Sequence, residues 1–236
     1  MRKIVGEIWR RALAEQPAPP DGVLAGAVLL ALVLVLTPSL WPTTRLAVTI
    51  THEGAHVLAA VLTGRRLQGI RLHSDTSGVT TSSGRPVGPG MVAMVAAGYL
   101  GPALVGLGAA LMLAAGLSLG LMWTLVLLLA GMLLQIRNFY GFLVVVAAGV
   151  ALALVSWYLS SSAQSAIAYL ITWVLLIAAP KPVVELIRQR HRGRAVWSDA
   201  DQLARLTGVP GLVWTMFFLL ANLLGLGAGA ALLLPS

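Results

Sequence analysis

No cysteine occurs among the 236 residues, so disulfides, thiolate zinc sites, iron–sulfur clusters and a cysteine nucleophile are excluded. Charge is nearly as scarce: Asp, Glu, Lys and Arg make up 10% of the chain, where a soluble domain carries roughly 25%. A chain so short of charge cannot clothe a water-facing surface, and it is too apolar to be intrinsically disordered. Internal repeats are lacking too, as is any polar insertion long enough for a folded accessory domain. Apolar residues make up 58% of the chain, with a mean hydropathy of +0.88. The composition therefore specifies a polytopic membrane protein whose immediate surroundings are the lipid bilayer.

Acids are the scarcer charge, with 8 Asp plus Glu against 16 Lys plus Arg and a net charge of +8. The basic residues fall in short clusters between apolar runs, the pattern of juxtamembrane anchoring, and no nucleic-acid partner is expected. The N-terminal stretch 1–22 reads as basic, amphipathic and cytoplasmic, without a cleavable signal. Residues 23–236 then form a single membrane-embedded domain.

A hydrocarbon core of about 30 Å needs roughly 20 apolar residues as helix. On that measure seven segments qualify, at about 23–41, 45–64, 88–116, 119–136, 138–159, 163–179 and 209–234. The fold class is thus all-α and polytopic, with about six to seven transmembrane or membrane-embedded helices. Two connections differ in kind. Residues 65–87 are rich in Ser, Thr and Gly, and predict a short β-hairpin around Ser77-Gly78. Residues 180–208 open with Pro180-Lys181-Pro182, run strongly basic as a cytoplasmic loop, and end in a short amphipathic helix capped at Ser198. Alternating sides at each segment from a cytoplasmic N-terminus leaves only Arg45 outside and makes the C-terminus external. Gly116 with Gly120, and Gly225 with Gly229, are spaced for close helix contact.

Beyond Arg45 at its start, the second segment, TRLAVTITHEGAHVLAAVLTG, carries no ionisable group except His52, Glu53 and His56 at its centre. A charged group at that depth costs about 2.5–3.5 kcal/mol on insertion scales, so three together demand compensation. His52 and His56 are one helical turn apart and can converge on one ion, with Glu53 placed to reach a metal-bound water. Chance gives this pattern in about one chain per thousand of this composition. The alternative is a buried polar cluster bonded to neighbouring helices.

A tetrahedral zinc site that keeps one position for water needs a third protein ligand. His73 and Asp75 in the hairpin, Glu185 and His191 in the basic stretch, and Asp199 and Asp201 before the last segment are the candidates. Glu185 and His191 lie among arginines and read as solvated. Asp199 and Asp201 read equally well as ligands or as first-turn acids of a helix capped by Ser198. Asn138, beside Arg137 at a helix start, is a candidate contact for substrate backbone or a simple cap. Asn222 reads as an interhelical hydrogen bond.

The stretches ITHEGAHVLAAVLTG, GIRLHSDTSGVT and AAGYLGPALVG, followed by RNFYGFLVVVAAG and SDADQLARLTGVPGLVW, resemble the site-2 protease family of intramembrane zinc metallopeptidases. The likeness is to a compact bacterial branch without a PDZ or nucleotide-sensing domain. It implies that His52 and His56 bind Zn²⁺ and that Glu53 activates water. In that family a distant Asp, in a Leu-Asp-Gly motif, completes the site. This chain has no Leu-Asp-Gly, so Asp199 is the first choice and Asp201 the second, provided that 196–208 folds back into the membrane. The resemblance further implies a multi-pass protein of the bacterial cell membrane, a transmembrane protein as substrate, and a hairpin that pairs with unwound substrate. No feature selects an oligomeric state. The rival reading is a non-proteolytic membrane scaffold that keeps a structural metal site.

Overall fold

The computed structural model describes residues 12–192 and 197–234, together with Gly6 and Arg10. Most of the basic stretch expected at the N-terminus, and 193–196 of the basic stretch, therefore lie outside the described residues. All seven apolar segments are helical. In order, the elements are α1 (Asp21–Leu36), α2 (Trp41–Leu62), β1 (Arg66–Leu72), β2 (Gly78–Ser83), α3 (Pro89–Ala114), α4 (Ser118–Leu133), α5 (Phe139–Tyr158), α6 (Ser161–Ala178), α7 (Pro180–His191), α8 (Asp199–Thr207) and α9 (Gly211–Leu233). The expected all-α polytopic architecture, with a β-hairpin directly after the His-Glu helix, is what the chain adopts.

Among the described residues, four helical stretches are long and apolar enough to cross a membrane: α3, α5, α9, and the continuous run Ser161–His191 formed by α6 and α7. The pair α1 and α2 makes a fifth if taken as one span, bent by 98° at residues 37–40. Pro38 explains the bend. Its ring pushes Thr37 out of the helical region, to φ −76° and ψ 121°. Polar side chains take up the carbonyls left free there. Thr44 Oγ1 donates to Leu34 O at 3.1 Å, and Lys181 Nζ donates to Val35 O.

The expectation of a loop from residue 180 is corrected by α7. Ala179 keeps helical angles, and Pro180 and Pro182 fall in the first turn of α7, where the missing proline N–H costs no hydrogen bond. The Pro-x-Pro sequence thus breaks the helix without ending it.

The alternation of sides at every segment also fails. Arg45, expected outside, lies 3.4 Å from the carboxylate of Glu185, expected on the cytoplasmic side. Glu185 is therefore not a solvated charge, and it also accepts from Trp41 Nε1 at 2.8 Å. At one end of the bundle Gln16 N donates to Gly116 O at 2.8 Å, and Leu233 at the end of α9 shares a cluster with Ala27 and Leu113. Residues near 16 and the end of α9 thus share one end of the molecule. The hairpin lies at the other end, beyond the start of α3, a helix about 39 Å long.

Strands β1 and β2 pair antiparallel with Ile70 opposite Thr80, and a bulge falls between Leu67 and Gly69. The turn is His73–Ser77, where Ser77 O accepts from His73 N at 2.8 Å. The outer edge of β1 is covered: Ile70 N donates to Gln135 O, and Arg137 N to Ile70 O, both at 2.8 Å. Gly69 has φ +145°, and a Cβ there would lie 2.2 Å from Arg137 Cγ. Asn138 closes this edge, donating to Leu72 O at 2.6 Å and accepting from Leu72 N at 3.1 Å. Its amide neither caps α5 nor is left free for a substrate.

Because the chain has no native cysteine, single-cysteine labelling reports topology without background. Glu15→Cys and Ser160→Cys should react with an impermeant thiol reagent from the same side of the membrane, and Ser74→Cys from the opposite side. Glu15→Cys and Ser74→Cys reacting from one side would overturn this arrangement.

Candidate metal centre

Helix α2 packs along the first half of α3, and glycines on α3 let it approach. A Cβ at Gly101 would lie 2.6 Å from Ala55 Cβ and 2.7 Å from Thr51 O. With the two helices so close, Glu53 and His56 are buried and His52 is half-buried. His56 Nδ1 contacts Met94 O at 2.7 Å. A carbonyl only accepts, so Nδ1 carries the proton and Nε2 presents its lone pair.

That lone pair faces two other donor atoms. His52 Nε2 lies 3.1 Å from His56 Nε2. Asp199 Oδ2 lies 3.2 Å from the first and 3.4 Å from the second. Ligand atoms about 2.0–2.1 Å from a tetrahedral zinc ion stand about 3.3 Å apart, so these three edges match one face of such a tetrahedron.

The space around them is kept open by one residue. A Cβ added at Gly98 on α3 would lie 2.4 Å from His56 Nε2 and 2.6 Å from His52 Nε2. The next residue, Tyr99, meets the edge of the His52 ring at a centroid distance of 5.0 Å and stacks on Phe218 of α9 at 5.2 Å. Asn222 Nδ2 donates to Tyr99 O at 3.0 Å, the interhelical bond that its place in an apolar helix implied.

Asp199 arrives from α8, which folds back against α3 and α9. Its Ala200 and Leu203 are buried with Val95, Val183, Leu186 and Phe218. Asp201 is engaged elsewhere. It closes a capping box with Ser198 and pairs with Arg190. Burial raises its pKa, but bonds from Ser198 and the Arg190 guanidinium outweigh this and hold the carboxyl below the usual range. The remaining candidates lie outside the cluster. Asp75 and His73 bond to Ser77 within the hairpin turn, Glu185 holds Trp41 and Arg45, and His191 contacts Ile187 O in its own helix.

Glu53 points to the hairpin. Thr80 Oγ1 donates to its Oε2 at 2.6 Å, and a Cβ at Gly78 would come within 2.6 Å of its Oε1. Strand β2 thus packs directly on the carboxylate. Sequence reasoning gave no role at the site to Gly98, Gly78, Thr80, Tyr99 or Arg190. The one available signal was Gly98-Tyr99 within the AAGYLG stretch. Of the two glycine pairs it did single out, Gly225 and Gly229 are packing positions on α9, against Ala103 and Leu176, whereas Gly116 lies in the turn between α3 and α4 at φ +74° and so does not share a helix with Gly120.

A sequence model of the Peptidase M50B-like family matches residues 25–229. No curated protein and no solved structure gives a significant match.

Gly98→Ala should remove zinc from the detergent-purified protein, whereas Gly108→Ala, with open space around it on the same helix, should retain it. Wild-type zinc content in Gly98→Ala would show that the ion does not lie between these histidines.

Proposed function

The chain belongs to the Peptidase M50B-like family, a membrane metallopeptidase family of the site-2 protease type, and from that premise we propose that it hydrolyses a peptide bond within or near a transmembrane segment of a membrane-protein substrate. The observation that carries this reading is the triangle of His52 Nε2, His56 Nε2 and Asp199 Oδ2 beside a buried Glu53.

His52, His56 and Asp199 would hold Zn²⁺, the borderline ion that two imidazoles and a carboxylate suit. A bound zinc supplies Lewis acidity, lowering the pKa of water towards about 7 and polarising the scissile carbonyl. The protein's own groups do the rest. Glu53 takes a proton from the attacking water on its carboxylate and passes it to the leaving amine. Met94 O fixes the His56 tautomer and ring plane, and Thr80 fixes one oxygen of Glu53. A peptide bond inside a helix is shielded, so the substrate is locally unwound before it is cut.

The hairpin end of the molecule carries Arg65, Arg66, Arg71, Arg85 and Arg137, with α7 and α8 adding Arg188, Arg190 and Arg205. From the excess of positive charge that cytoplasmic loops carry, we infer that this end faces the cytoplasm. The residues around Gln16 then face the opposite compartment, the reverse of the orientation counted from seven crossings. A structural-metal scaffold, the rival reading, drew its support from the missing Leu-Asp-Gly motif. Asp199 brings a carboxylate to the histidines without that motif, and a structural site has no use for a buried Glu53.

Wild-type protein should carry about one zinc per chain, lost in His56→Ala and in Asp199→Ala. Glu53→Gln should keep the zinc and lower the cleavage rate of a single-span reporter by about 10²-fold or more. Zinc retained in Asp199→Ala would exclude that ligand, and cleavage surviving Glu53→Gln would refute the mechanism.

A further inference from the structure

Asp199 is the one member of the donor triangle that does not belong to α2. It is carried by α8, a helix of nine residues, too short to be stable without tertiary contacts. Its buried residues, Ala200 and Leu203, hold it against α3, α7 and α9. Apolar contacts of that kind press a helix onto a surface but set its rotation and axial position only loosely, because dispersion is non-directional. A carboxylate held 3.2 Å from one nitrogen and 3.4 Å from another needs a directional restraint.

Arg190 supplies one. It lies in the last turn of α7, and its Nη2 donates to Ser198 Oγ at 3.3 Å and pairs with Asp201 Oδ1. Those two residues are the capping box of α8. Ser198 N and Ser198 Oγ both donate to Asp201 Oδ2, at 3.0 and 2.6 Å, and Asp201 N closes back on Ser198 Oγ at 3.4 Å. Asp199 lies between the two capping residues. The guanidinium therefore grips the one turn of backbone from which the Asp199 side chain projects.

The site for the guanidinium is built. A Cβ at Gly211, the first residue of α9, would lie 2.9 Å from Arg190 Nη2, 3.2 Å from Nη1 and 3.2 Å from Ala200 O. Arg190 and Asp201 are both about four-fifths buried, with side-chain exposures of 20% and 19%. A pair so withdrawn from water is screened far less than a surface ion pair. The planar fork of Arg also fixes direction in a way a lysine ammonium does not.

We propose that Arg190 is a positioning residue for the metal centre: by clamping the Ser198–Asp201 cap it aims Asp199 at His52 and His56. This role rests on the metalloprotease reading and adds to it a residue that touches neither metal nor substrate. It also explains why Asp201, so close to Asp199 in sequence, is unavailable as a ligand.

The test uses the full chain in detergent, with Zn²⁺ affinity measured by chelator competition and the visible spectrum of the Co²⁺-loaded protein as a report on the ligand set. Arg190→Gln should weaken zinc binding about 10–100-fold, the range for loss of an outer partner of a ligand, and shift the Co²⁺ spectrum to that of Asp199→Asn. Arg190→Lys should recover part of the affinity. Combining Arg190→Gln with Asp199→Asn should weaken binding no further than Asp199→Asn alone, because both act through one ligand. Gly211→Ala, which crowds the guanidinium without removing it, should move the spectrum in the same direction and serves if Arg190→Gln does not fold.

Wild-type affinity and spectrum in Arg190→Gln would overturn the proposal. So would a variant that melts earlier but keeps the wild-type Co²⁺ spectrum, since that marks a purely structural residue. Additive losses in the double variant would overturn it as well. Wild-type protein that binds neither zinc nor cobalt refutes the metalloprotease reading and this role with it, whereas metal binding indifferent to Arg190 refutes this role alone.

Discussion

Burial of His56 and Glu53 within an otherwise apolar helix sets the terms for the rest of the molecule. Such groups are tolerated in a membrane protein only where partners surround them, and each neighbour of α2 supplies one. The first half of α3 offers the Met94 carbonyl and, at Gly98, an absence of side chain. Strand β2 offers the Thr80 hydroxyl and the bare backbone of Gly78. Helix α8 offers the Asp199 carboxylate. Three elements from distant parts of the chain thus converge on one helical turn. The chemistry assigned to that turn depends on their converging closely enough to keep bulk water from the carboxylate.

Convergence of that kind requires irregular helices. A straight α1–α2 would carry His52 away from α3, and the 98° bend after Thr37 instead lays α2 along it. At Ala179 the second irregularity leaves the helical run Ser161–His191 continuous, so that α7 extends it to the segment bearing Asp199. Both irregularities are held by the same charged cluster. Glu185 receives Trp41 and Arg45 from α2, while Lys181 caps α1 and lies over the Trp41 ring at 4.0 Å. The charges that composition alone assigns to loops serve here as fasteners between helices.

Part of this was legible without coordinates because it is local. Apolar runs long enough to span a bilayer, a Ser- and Gly-rich hairpin, and two histidines one turn apart with a glutamate between them all follow from residues close in sequence. So does the candidacy of Asp199 and Asp201, since SDAD before an amphipathic stretch has few readings. The choice between the two was not local. Ser198 and Arg190 engage Asp201 and leave Asp199 free, and Arg190 is one of several arginines in a stretch whose spacing says only that it is basic.

The sequence by itself determined that this is a membrane protein built of helices, that His52, Glu53 and His56 are its candidate chemical group, and that a third ligand for them was to be sought among a handful of acids and histidines. Tertiary structure alone brought one of these, Asp199, to the two histidines. Asp199 is 143 residues beyond His56, a distance at which no helical periodicity connects two positions. Tertiary structure also decided which of the 25 glycines leaves the space where an ion fits, and that Arg45 and Glu185 share a side of the membrane. Hydropathy counts the apolar segments but does not register a bend, so a rule of strict alternation misplaces residues once a proline turns one span into two helices.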